Sequence, residues 1–184
     1  MIIADEAHIK TISEILTISL INYTIQDNKI IFPKEYTVST LDSLHYKLNY
    51  SKAKELWNNM VLIITFLEKR NLTIAYLDKK TTYVINNLYF IPTEHFLPIK
   101  NNKITINHLY RKEDIYLSSD LHKIEELPAE VPVQSVYNSL AKCVIHYMFG
   151  STTASMNSIY ATKLYWLLFW CLQDNPEERL LLII

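Results

Sequence analysis

Glycine is almost absent: Gly150 is the single one in 184 residues. Glycine allows positive φ, close approach of backbone to a phosphate, and nests of N–H groups that hold anions. The Rossmann and P-loop fingerprints need several such positions close together. None can be written in this chain, so common nucleotide chemistry lacks its phosphate cradle. Cysteine is nearly as scarce. Cys143 and Cys171 both stand in apolar runs, which reads as buried reduced thiols in a reducing, cytoplasmic setting. There is no excess of either charge: 18 Lys and Arg face 19 Asp and Glu, net −1. That balance gives no electrostatic footprint for nucleic acid or an anionic membrane. The longest apolar run, 164–172, is about half a membrane span. Residues 1–10 carry Asp5 and Glu6 and lack a basic stretch followed by an apolar core, so no signal peptide is expected.

What remains is a globular composition, with 49% hydrophobic and 20% charged residues, in a chain long enough to bury a core. Residues 6–21 read as an amphipathic helix, with Ile9, Ile12, Ile15, Leu16 and Leu20 near helical spacing. Residues 23–32 alternate around Asp27-Asn28 and suggest a hairpin. Ser39 or Thr40 could cap a helix through Lys47. Ser51 could cap a stronger one carrying Ala53, Leu56, Trp57, Met60, Ile63, Ile64 and Leu67, closed by Lys69-Arg70-Asn71. Runs 72–76, 82–85 and 88–91 are short and β-prone, with Asn86-Asn87 as a hairpin turn. Residues 92–130 read as loop-rich. A long apolar helix is expected over 133–148, stopped by Gly150. Another is expected over 163–172, and a final one through Leu182 with Pro176 at its first position.

The six histidines, His8, His45, His95, His108, His122 and His146, show no metal-ligand spacing. No metal and no cofactor is expected. Glu94-His95 could be imagined as an acid–base pair, but no nucleophile signal accompanies it. His146 reads as a core or rim histidine. Tyr165, Trp166, Phe169 and Trp170 read first as core; apolar residues cover nearly the whole turn there, so one side is also a candidate partner surface. Residues 180–184 are apolar enough either to dock on the core or to mark a truncated end.

Three segments, in order, resemble the C-terminal lobe of a protein kinase. Residues 116–121 (Tyr-Leu-Ser-Ser-Asp-Leu) are similar to the A-P-E region, with Asp120 for the glutamate. Residues 135–141 (Ser-Val-Tyr-Asn-Ser-Leu-Ala) resemble the start of the central buried helix, and 171–179 (Cys-Leu-Gln-Asp-Asn-Pro-Glu-Glu-Arg) the C-L-x-x-D-P-x-x-R stretch. The resemblance implies a buried ion pair between Asp120 and Arg179, one of only three arginines. It implies a mainly α (α+β) fold, with residues 37–184 as a kinase-like C-lobe carrying a small β-hairpin. Residues 1–36 would be a vestigial helix and hairpin where the N-lobe is missing.

The same resemblance puts Tyr76 at the catalytic base, Thr81 at the metal-binding Asn, Pro92 and Thr93 in the D-F-G region, and Val136 at the helix aspartate that anchors the catalytic loop. A neutral phenol cannot replace a carboxylate as base near pH 7. The implied protein is therefore non-catalytic. It is similar to kinase non-catalytic C-lobe modules, and also to degenerate kinase-like proteins of large DNA viruses. The expectation is a pseudokinase-type interaction or scaffold module with a protein partner, and with neither nucleic acid nor membrane. Its partner and oligomeric state stay open. The competing expectations are a divergent ATP-dependent phosphotransferase and a structural or accessory viral protein.

Overall fold

The computed structural model describes residues 2–3, 8–19, 21–27, 29–44 and 47–184. The fold is α+β, 40% helix and 17% strand, in two compact units: Met1–His45 with Lys79–Phe96, and Tyr46–Asp78 with Leu97–Ile184. This division differs from a single cut after residue 36, because segment 79–96 pairs with the N-terminal segment.

In the first unit, strand β1 (Ile2–Ile3) precedes helix α1 (Ile9–Ile18). The helix buries Ile12, Ile15 and Leu16, the stripe its spacing dictates; residues 6, 7 and 20 of the expected helix lie outside the described residues. Strands β2 (Thr24–Gln26) and β3 (Lys29–Ile31) form an antiparallel hairpin, and β1 pairs with the other edge of β3. Asp27 turns it at φ 51°; Asn28 lies outside the described residues. Strand β4 (Val38–Thr40) departs from expectation. It contains the residues read as a helix cap, and only a 3-10 turn, Leu41–Ser43, follows; residues 45 and 46 are not described. The cause is pairing. Strand β6 (Tyr83–Ile85) offers β4 an antiparallel edge and Asn86 accepts the Thr37 N–H at 2.9 Å. Strand β7 (Leu88–Phe90) completes the sheet across Asn86-Asn87, both at positive φ.

In the second unit, helix α2 (Tyr50–Glu68) is capped by Asn49, whose Oδ1 accepts the Lys52 N–H at 3.0 Å, rather than by Ser51. Strand β5 (Leu72–Thr73) follows Asn71 at φ 55°. Residues 92–130 hold more structure than loops: strand β8 (Leu97–Lys100), strand β9 (Lys103–Ile106), helix α3 (Ser119–His122) and strand β10 (Ala129–Pro132). The sheet order is β10-β9-β8-β5, all antiparallel, with Val131 opposite Ile104. Ala75, Ile104, Ile106, Leu117, Leu121 and Val131 close a small core on it.

Helix α4 (Ser135–Phe149) buries eleven of its fifteen residues. Its apolar residues run nearly all round, as a helix covered on several sides requires. Gly150 ends it at φ 88°, its N–H donating to His146 O at 2.7 Å. Helix α5 (Lys163–Cys171) packs on α4. The expected last helix does not form. Pro176 starts a 3-10 turn, Pro176–Glu178, and 180–184 run on without regular structure. No described helix is long and apolar enough to cross a membrane.

Candidate functional site

Asp120 and Arg179 lie together. Ser118 caps α3, accepting the Leu121 N–H at 3.3 Å, which places Asp120 in the first turn where a carboxylate suits the helix dipole. Arg179 Nη1 reaches Asp120 Oδ2 at 2.6 Å, with side-chain exposures of 0% and 12%. Ser135 Oγ donates to the same oxygen at 3.1 Å. The rest of the guanidinium is spent on carbonyls: Nε to Gln173 at 2.8 Å, Nη2 to Asp174 at 3.2 Å, Nη1 also to Gln134 at 3.4 Å. A buried charge pair is tolerable only when its remaining donors are also satisfied. This one ties α3, the start of α4 and the 173–179 turn into one knot.

The residues that the resemblance sets at kinase catalytic positions are placed as follows. Tyr76 is half-buried; its hydroxyl donates to Asp114 Oδ2 at 3.2 Å and its ring meets Tyr110 edge-on at 4.9 Å. Burial, then Asp78 and Asp114, push its pKa well above the usual phenol value, so the group stays protonated. Val136 is fully buried and aliphatic. These two belong to the second unit. Thr81, Pro92 and Thr93 belong to the first: Thr81 precedes β6, and Pro92 and Thr93 are buried at a 3-10 turn.

One residue of this region escapes sequence reasoning. Ser139 Oγ accepts the Leu77 N–H at 2.8 Å, both groups buried. The central helix thus holds the segment after Tyr76 through a hydroxyl one turn beyond Val136. The available signal was a serine inside an apolar helix, which requires a partner when buried.

The aromatic stripe corrects the expectation of core. Leu164, Leu167, Leu168 and Cys171 form the buried seam of α5, a helical stripe by spacing. The aromatics take the other side: Trp166, Phe169 and Trp170 are 45%, 38% and 39% exposed, and Tyr165 is half-buried. Tyr165 stacks on Phe169 at 6.4 Å and 14°; Trp166 meets Phe169 edge-on at 6.0 Å, and Phe169 meets Trp170 likewise at 5.7 Å. Tyr160, 62% exposed and missed in the sequence, extends the cluster through Tyr165 at 5.1 Å. Thr162 caps the helix and orients the array, accepting the Tyr165 N–H at 3.1 Å.

His146 lies edge-on to Tyr116 and Tyr147, and His95 Nε2 is 3.7 Å from its neighbour Glu94. Burial, with Lys142 and Lys112, lowers the pKa of His122. His45 lies outside the described residues. Among the described residues no group of three His, Cys, Asp or Glu is placed to hold a metal ion. Both cysteines are free and buried.

No protein-family model matches this chain, and no curated protein matches it.

Proposed function

We propose that this chain is a catalytically inactive, kinase-like interaction module that engages a partner protein through the aromatic face of α5. One observation carries the reading: α5 buries an aliphatic seam and still presents Trp166, Phe169 and Trp170, with Tyr160, to solvent. Scattered exposed apolar residues are ordinary, but a contiguous aromatic cluster is the kind of surface partners cover. Tyr and Trp bring large contact area at low entropy cost and dominate binding hot spots. The kinase-like part of the reading draws support from the order of the three resembling segments and from the Asp120–Arg179 knot. Its inactivity draws support from Tyr76 held protonated and from Val136.

The test compares the intact chain with a Trp166→Ser/Trp170→Ser variant as baits in the source cells, quantifying each retained protein. A partner specific to the face is expected to fall at least about tenfold, in line with hot-spot losses of ~2 kcal/mol or more. The melting temperature should hold, because the seam is untouched. Equal retention of every partner by both baits contradicts the reading.

A further inference from the structure

Residues 180–184 are held in a way the aromatic face does not explain. The Cys171 thiol donates to Leu180 O at 3.1 Å. The Trp57 indole Nε1 donates to Leu182 O at 2.8 Å. Asn58 Oδ1 accepts the Ile184 N–H at 2.9 Å, and Asn58 Nδ2 donates to Ile184 O. The contacts fall on residues 180, 182 and 184. That period of two is how an extended chain presents its backbone groups to one side. The Asn58 carboxamide, one donor and one acceptor on a single residue, does what a neighbouring strand would do.

No described backbone–backbone hydrogen bond joins 180–184 to the rest of the chain. Leu180, Leu182 and Ile183 are 48%, 54% and 56% exposed, whereas Leu181 and Ile184 are half-buried. The holding groups belong to helices α2 and α5. Trp57 and Cys171 are fully buried, in α2 and α5, and Asn58 follows Trp57 on α2. Burial pushes the Cys171 thiol up to about 12, so it remains a donor.

We propose that Trp57, Asn58 and Cys171 form a backbone clamp for an extended, uncharged aliphatic peptide, occupied in this structure by segment 180–184 and open to a partner's peptide of the same kind when that segment leaves. Backbone capture of an extended segment is the logic of strand addition. The clamp carries no charged side chain, and its resident is a run of Leu and Ile. Both point to an uncharged, aliphatic occupant. The clamp is independent of the aromatic face, so either can fail alone.

The probe is a fluorescent peptide of residues 180–184, Leu-Leu-Leu-Ile-Ile, with its C-terminus amidated. It is titrated by anisotropy against the intact chain and against a chain shortened to end at Arg179, which leaves the clamp without a resident backbone. A resident segment competes at an effective concentration of about millimolar. The shortened chain is therefore expected to bind at least tenfold tighter than the intact one, and Asn58→Leu in the shortened chain should undo that gain. Equal binding by both chains, or binding indifferent to Asn58→Leu, overturns the proposal.

If the shortened chain gives no cooperative melt, the intact chain decides. At millimolar peptide the Trp57 indole N–H resonance should shift, and the shift should vanish in Asn58→Leu. An unmoved resonance overturns the clamp.

Discussion

With one glycine to use, the chain makes its left-handed turns mostly from asparagine. Positive φ occurs at Asn71, Asn86, Asn87, Asn101 and Asn102, at Asp27, and at Ala161. Asn and Asp tolerate this region because their short side chains bond locally; alanine has no such compensation. Gly150 and Ala161 therefore make opposite predictions. A Cβ at Gly150 would meet Lys47 Cε at 3.5 Å, an ordinary contact, so space is not the constraint. Its φ of 88° is. Gly150→Ala is expected to cost about 1–2 kcal/mol. Ala161→Gly, at φ 65°, is expected to gain about 0.5–1 kcal/mol, the strain relieved less the added chain entropy. Urea denaturation of both variants checks the pair of signs. Part of this was legible beforehand. Asn86-Asn87 stands out in the sequence as a turn, whereas the identical dipeptide at 101–102 does not, because its flanks, Leu-Pro-Ile-Lys and Lys-Ile-Thr-Ile, carry a proline and two lysines that mask the alternation.

Helices α2, α4 and α5 were legible because burial writes a long helical period into a sequence. The elements that departed are short and decided by contacts distant in sequence. Strand β4 exists because β6, more than forty residues on by number, gives it an edge. The 3-10 turn at Pro176 replaces a helix because Arg179 and 180–184 are held by other elements. Two contacts between elements make predictions. Arg179→Met should cost about 3–5 kcal/mol, as breaking a buried pair leaves Asp120 uncompensated; adding Asp120→Asn should recover part of that, measured by a double-mutant cycle.

Tyr137 donates to Glu68 Oε1 at 2.7 Å, joining α4 to α2. Burial raises the pKa of Glu68 above 4.5, with the Tyr137 bond opposing. An acid whose folded pKa is raised binds more protons folded than unfolded, so stability is present below 4.5 and declines as pH rises through the raised value. Glu68→Gln, which keeps an acceptor for Tyr137, should flatten that decline in melting temperature between about pH 4 and 7. An unchanged slope would assign the decline to other groups.

At the scale of the molecule, each of the two units has its own sheets and buried side chains. The Asp120–Arg179 pair was foreseeable because resemblance named both residues; for the α5 aromatics the sequence offered both core and partner surface without deciding between them. Aliphatic seam and aromatic face are equally apolar in the sequence, and only packing on α4 tells them apart. The proposal that joins these scales is a kinase-like module that has given up phosphoryl transfer and kept a surface for a partner. It lacks a glycine-rich phosphate loop, and Tyr76 is held protonated. The most direct test is the melting temperature of the intact chain with ATP, with Mg²⁺, and with both. The account expects the same melting temperature in all three. A rise that requires ATP and Mg²⁺ together would contradict it.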